Sequence, residues 1–206
     1  MRTIPDLAAS ILKHAPPSGM HGTVVPGLFV IREDRTTVPV PSVYEASLCL
    51  IAQGAKRVSL GDHSVVYDSS RYLLVSVDLP LVGHVIEASP DAPYLCCKID
   101  LDLPALADLI IAEGGAGGPA PSPVLAVYPS DPNLVDAACR LVKLLEQPQS
   151  IPALAPLIER EIYYRLLTGP HGPTLRHLAA ADAGRRRQRR RGRVRGGIRK
   201  PLTVQP

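Results

Sequence analysis

Between residues 23 and 100 the chain is cut into short pieces. TVVPGLFVIRED, SLCLIAQ, KRVSL, SVVYD, RYLLVSVD, GHVIEAS and YLCCKID are each rich in β-branched or large apolar residues, with Gly, Pro, Asp or Ser between them. KRVSLGDHSVVY is the clearest hairpin: Gly61-Asp62 suits a two-residue II′-like turn, with Gly taking the positive φ at its first position. About seven short strands at this spacing predict a barrel or a double-sheet jelly roll. The 22 prolines argue against long uninterrupted helices.

The periodicity on either side is helical. Ile4, Leu7, Ala8, Ile11 and Leu12 form one stripe, and HAPPSGMHG breaks it. After residue 100, Asp102 can cap a helix with Pro104 in its first turn, running to Gly114-Gly115. GGAGGPAPSP reads as a loop and VLAVYP as one last strand. Asp131-Pro132 opens a helix with the stripe Leu134, Ala138, Leu141, Leu144 and Leu145. Another covers 153–168, with Leu154, Leu157, Ile158, Ile162 and Leu166 on one face, ending at Gly169-Pro170. A further helix, PTLRHLAAADA, follows Gly172. The expected fold class is α+β, a β-barrel (jelly roll) followed by C-terminal helices. The organisation is a helix and linker at 1–19, a barrel at 20–128, helices at 129–182 and a basic, solvated tail at 183–206.

Composition bears on partners. Of 23 Lys and Arg, ten lie in RRRQRRRGRVRGGIRK (185–200), which leaves thirteen against 19 Asp and Glu, a net −6 for residues 1–184. The body is acidic, so no DNA-binding face is expected on it. With 4% aromatics and no Trp, a stacking platform for single-stranded nucleic acid is not expected either. No apolar run is long enough to span a bilayer. The N-terminus contains Pro5, Asp6 and Lys13 and does not read as a signal peptide, so a cytoplasmic protein is expected.

The chemistry-bearing residues are dispersed. Cysteines 49, 96, 97 and 139 form no C-x-x-C, and the first three lie in apolar runs as small core residues. The histidines at 14, 21, 63, 84, 171 and 177 form no H-x-H pair, so no metal site is expected. His84 could point into the barrel toward a ligand, or be a hydrogen-bonded core or rim residue. No G-x-S-x-G elbow or phosphate-binding Gly loop is present, so no catalytic residue and no cofactor is expected. Glu161 and Arg165 stand at i, i+4. The leucine stripes of the two later helices can be buried on the barrel or on a partner, and periodicity leaves both open. In the partner reading, Leu134, Leu141, Leu145, Leu154, Ile158 and Ile162 form a dimer interface.

YEASLCLIAQGAKRVSLGDHSVVYDSSRYLLVSVDLP (44–80) resembles the N-terminal domain of AraC-type transcriptional regulators. The likeness continues through EASPDAPYLCCKIDLD (87–102) and RLVKLLEQPQSIPALAPLIEREIYYRLLTGPHGPTLRHLA (140–179), so it spans residues 20–179. It implies a cupin-like barrel with trailing helices that senses a small-molecule effector or dimerises, ahead of a helix-turn-helix DNA-binding domain. It brings no catalytic residues and fixes no effector contacts. Lys56, Tyr67, Arg71 and His84 are the polar groups expected near the barrel mouth.

The sequence departs from that family after LRHLAAADA. The family's linker gives way to GRRRQRRRGRVRGG, and Ile198-Arg199 and Pro201-Leu202-Thr203-Val204 look like its remnant. Three origins fit the basic run: an out-of-frame reading of GC-rich codons, a solvated end, or a nucleic-acid arm made by Arg185, Arg186, Arg187, Arg189, Arg190 and Arg191. Such an arm would bind phosphates without reading sequence. The expected function is thus the regulatory half of an AraC-type regulator, truncated before its DNA-binding domain. It would form a homodimer, or a heterodimer with a related regulator, and would not bind DNA specifically. The alternatives are a small cupin-type metalloenzyme and a dominant-negative dimerisation partner.

Overall fold

The structure, a computed structural model, describes residues 1–113, 125–177 and 179. A helix α1 (Ile4–His14) leads into nine strands: β1 (Gly19–Gly22), β2 (Leu28–Glu33), β3 (Val40–Tyr44), β4 (Ser47–Gln53), β5 (Ala55–Leu60), β6 (His63–Asp68), β7 (Arg71–Val75), β8 (Leu79–Glu87) and β9 (Tyr94–Asp100). Helix α2 (Leu103–Ala112), strand β10 (Leu125–Pro129), helix α3 (Pro132–Lys143) and helix α4 (Ile151–Thr168) follow. Residues 172–177 are helical, where the sequence predicted a further helix. The rest of that helix, the loop at 114–123 and the basic tail lie outside the described residues.

The strands form two antiparallel sheets, β1-β2-β9-β4-β7-β10 and β3-β8-β5-β6. They face each other as a jelly-roll-like sandwich that does not close into a barrel. The α+β, jelly-roll reading holds, but the expected barrel is open: its strands split into two separate sheets.

The larger sheet is buried on both faces. Leu48, Leu50, Leu95, Cys97 and Ile99 pack under the helices, while Cys49, Ile51, Leu73, Val75 and Cys96 face the smaller sheet. This is why SLCLIAQ and YLCCKID are unbroken apolar runs rather than alternating ones. Helix α1 lies directly on this sheet through Leu7 and Ile11, and α3 packs on α1 and α4.

Local signals place the helix starts. The Asp102 carboxylate accepts from the Ala105 amide at 3.1 Å, and Asp131 accepts from Asn133 at 2.9 Å. Helix α4 begins two residues before the expected start and carries Pro156 inside it. The Gly61-Asp62 hairpin forms as expected, with Leu60 opposite His63 and Gly61 at φ 55°. Strands β1 and β3 were not anticipated. Both are edge strands, short and largely exposed, with Gly or Pro in their sequences.

Gly54 turns the chain from the larger sheet (β4) into the smaller (β5). Its φ is +78°, and a Cβ there would stand 2.4 Å from the Glu87 carbonyl oxygen. Gly54→Ala is predicted to destabilise the fold by about 2 kcal/mol or more. Denaturant unfolding checks this, and an unchanged midpoint would refute it. Among the described residues, no helix is long and apolar enough to cross a membrane.

Candidate functional site

The two faces of the larger sheet differ in chemistry. Under the helices the lining is mostly apolar, with a few buried polar groups such as Ser10, His171 and Thr174. Between the sheets it is mixed. Tyr44, Lys56, Tyr67, Tyr94, Cys49 and Cys96 share that space with Val58, Leu73, Val75, Leu81 and Val85.

Strand alternation puts these polar groups inside. On β9, Tyr94, Cys96 and Lys98 fall on the inner face, and Leu95, Cys97 and Ile99 on the other. On β5, Lys56 shares the inner face with Val58 and stands opposite Tyr67 of β6. The Lys56 ammonium lies 5.3 Å from the centre of the Tyr44 ring. Gly83 of β8 makes room for that ring: a Cβ there would stand 2.3 Å from the Tyr44 hydroxyl. Lys98 pairs with Asp100, and its ammonium lies 4.5 Å from the Phe29 ring centre. Among the described residues, no acidic side chain forms an ion pair with Lys56.

Two tyrosines are fully enclosed here. Burial pushes the phenols of Tyr67 and Tyr94 well above their ordinary range, so both stay protonated. The Tyr94 hydroxyl is buried and has no hydrogen-bond partner. Cys49 lies beside the Cys96 thiol, which pulls its pKa down, with Lys56 and Lys98 adding to that effect against burial. Burial pushes Cys96 up.

The structure sorts the expected effector residues. Lys56 and Tyr67 meet in the inter-sheet space. His84 does not: it alternates with the inward Gly83 and Val85 and stands opposite the exposed Arg57, on the other side of its sheet, where its Nδ1 is buried without a hydrogen-bond partner. Arg71 sits at the solvent-exposed start of β7. Tyr44 and Tyr94 were missed. The period-two pattern of YLCCKID could have placed Tyr94 with Cys96, whereas Tyr44 lies on an edge strand without apolar alternation.

The dimer-interface expectation also needs correction. Leu134, Leu141, Ile158 and Ile162 are buried in the chain's own core, because α1 and α4 cover the α3 stripe and α4 buries one side on α3. Leu145 is half-buried against the same core. Leu154 alone of that set is exposed, at 42%, on a strip of α4 with Leu157 at 63% and Tyr164 at 45%. The predicted Glu161–Arg165 pair forms at 2.6 Å, and Glu161 also holds Arg140 of α3 at 2.6 Å. Arg185, Arg186, Arg187, Arg189, Arg190 and Arg191 lie outside the described residues. Among the described residues, no cluster of three or more His, Cys, Asp or Glu is arranged to hold a metal ion.

The polar cluster under the helices joins the sheet to the end of α4. Tyr72 and Tyr128 stack with centroids 5.6 Å apart, and the Tyr72 hydroxyl lies 3.0 Å from Nδ1 of the buried His171. Burial lowers the pKa of His171 to about 4, so the ring is neutral near pH 7 and shares a hydrogen bond with the Tyr72 hydroxyl.

Known proteins place this architecture in a class. The N-terminal region of the AraC-type transcriptional regulators matches residues 24–174, and the chain belongs to that family. Its fold resembles apo ToxT of Vibrio cholerae, at TM-score 0.52 and 10% identity over 70% of this chain and 57% of that one. A second ToxT structure, bound to an unsaturated fatty acid, gives TM-score 0.44 at 9% identity over 68% and 52%. The AraC-like activator CuxR gives 0.41 at 12% identity over 71% and 53%. The chain thus spans little more than half the length of these proteins. No curated protein matches the sequence.

His171 sets a pH prediction. Its folded pKa of about 4 lies below the usual 6.5, so the unfolded chain binds the extra proton between those values and stability falls as pH drops through that window. The full effect is roughly 3 kcal/mol at most. His171→Gln is expected to flatten the stability profile between pH 6.5 and 4.5, measured by urea unfolding. An unchanged slope would place the pH dependence elsewhere.

Proposed function

We propose that this chain is the effector-sensing and dimerising part of an AraC-type transcriptional regulator. The observation that carries the reading is the chemistry between the sheets. A core built only for packing holds apolar side chains. This one encloses an ammonium without an acidic partner and a phenol without a hydrogen-bond partner, both of which a bound molecule could satisfy.

The dimerising half of the reading is supported by α4. Leu154, Leu157 and Tyr164, three and seven residues apart, lie exposed along one strip of α4, where an apolar seam with a partner helix can form. The occupant is a second copy of this chain or a related regulator. Sequence-specific control of transcription belongs to the whole regulator, and this part supplies its response to the effector.

Two measurements test the two halves of the reading. Light scattering on the purified chain should give a dimer, and Leu157→Glu should give a folded monomer, because a charge in an apolar seam loses its water. Monomeric wild-type protein removes the dimerising half. In a thermal-shift screen of small metabolites, a true effector at about 100 times its Kd adds about 2.7 kcal/mol of stability. A collection in which no compound raises Tm removes the sensing half.

A further inference from the structure

We propose that the arginine-rich segment 185–200 docks on its own domain, in the acidic cleft between the end of β9 and the first half of α4. Seated there, its guanidinium groups are withheld from nucleic acid, so the contact is autoinhibitory.

The cleft has a volume of about 450 Å3 and lies on the helical side of the molecule, away from the space between the sheets. Asp100 and Asp102, where β9 gives way to α2, form one side, and Glu159 of α4 stands on the other. Ile151 and Ala155 add apolar wall. Tyr163 ties the two sides together, since its hydroxyl accepts from the Asp102 amide at 3.1 Å. Among the described residues, no basic side chain lines the cleft. Asp100 pairs with Lys98 from outside it, and Asp102 spends one carboxylate oxygen on the Ala105 amide. Glu159 forms no ion pair among the described residues. Burial, and then the nearby Asp102 charge, push its carboxyl above the ordinary range, so this rim lacks a cation.

The same chain holds a segment of complementary chemistry. Residues 185–200, which lie outside the described residues, carry ten Lys and Arg and no acid, against a net −6 for the rest. Arginine suits the cleft better than a bare ammonium does. Its fork can grip a carboxylate with two hydrogen bonds, its planar face can lie on an aromatic ring, and its stem can cover apolar wall. Reach is sufficient. The buried Ala179 anchors the chain, and residues 180–184 span up to about 20 Å before Arg185. Glu159 stands about 14 Å back along α4 from Thr168, where that helix ends. A tethered segment meets its seat at an effective concentration in the millimolar range, so weak individual pairs are enough.

The test is NMR on the isotope-enriched full chain with a nitroxide on Gln188→Cys. The four native cysteines are buried, so the label goes to position 188. At low salt the label should broaden the amides of residues 100–102 and 153–159, and the signals should recover at about 1 M salt, where screening acts within about 3 Å. Glu159→Gln should weaken the broadening. Replacing Arg189, Arg190 and Arg191 by Gln should abolish it, and leaves the domain's own residues untouched should Glu159→Gln not fold. Glu159→Gln is also expected to bind a random-sequence DNA duplex about threefold tighter than wild type at low salt. Glu87→Gln, the same charge loss near the opposite end of β9, should leave that affinity unchanged. No broadening, broadening spread evenly over the acidic surface, or broadening that survives the tail substitutions or high salt overturns the docking. Broadening that arises only when labelled chain is mixed with enriched, unlabelled chain puts the segment on a second copy and overturns it too. DNA affinity that Glu159→Gln does not raise above Glu87→Gln overturns the autoinhibitory role.

Discussion

Everything in this molecule hangs on the six-stranded sheet being buried on both faces. Strands β4 and β9 at its centre carry apolar side chains up and down, so neither face can be left to water. The four-stranded sheet covers one side. The helices cover the other, and they must come from both ends of the chain: α1 precedes the strands, while α2, α3 and α4 follow them. The helical leucines are consumed in that task. This is why residues such as Leu141 and Ile162, whose spacing suits an interface, end inside the monomer.

The two faces divide the labour. The helical face is mostly apolar, and there Tyr72 and His171 share a buried hydrogen bond. The inner face holds lysines, thiols and phenols whose needs the fold does not fully meet. Strand β7 belongs to both, with Leu73 and Val75 inside and Tyr72 outside against His171. Strand β10 repeats this arrangement with Val127 and Tyr128. Rigid alternation thus ties the inner compartment to the segment that continues from α4.

What could be read early was local. Asp102 and Asp131 announce helix starts because a short carboxylate reaches the free amides of a first turn whatever the tertiary fold. Gly61 announces a hairpin because few other residues accept its backbone angle, and Glu161–Arg165 pairs because helical spacing alone brings the two together. Strands β1 and β3 gave no such signal. An edge strand is held by hydrogen bonds on one side, and those bonds are blind to side-chain pattern. The same blindness hid Tyr44, whose position depends on the gap at Gly83, thirty-nine residues away.

The family of this chain and its α+β, jelly-roll character followed from the sequence by itself, because short apolar segments, punctuating turns and long specific blocks are local properties. The tertiary structure alone decided which face each residue serves. Lys56 and Tyr94 come from strands of different sheets to the same inter-sheet space, His84 turns to the other side of its strand by one step of alternation, and α4 leaves Leu154, Leu157 and Tyr164 exposed. Periodicity identifies a stripe but not what will cover it. That depends on which other surfaces compete to be buried, and only the folded chain settles that competition.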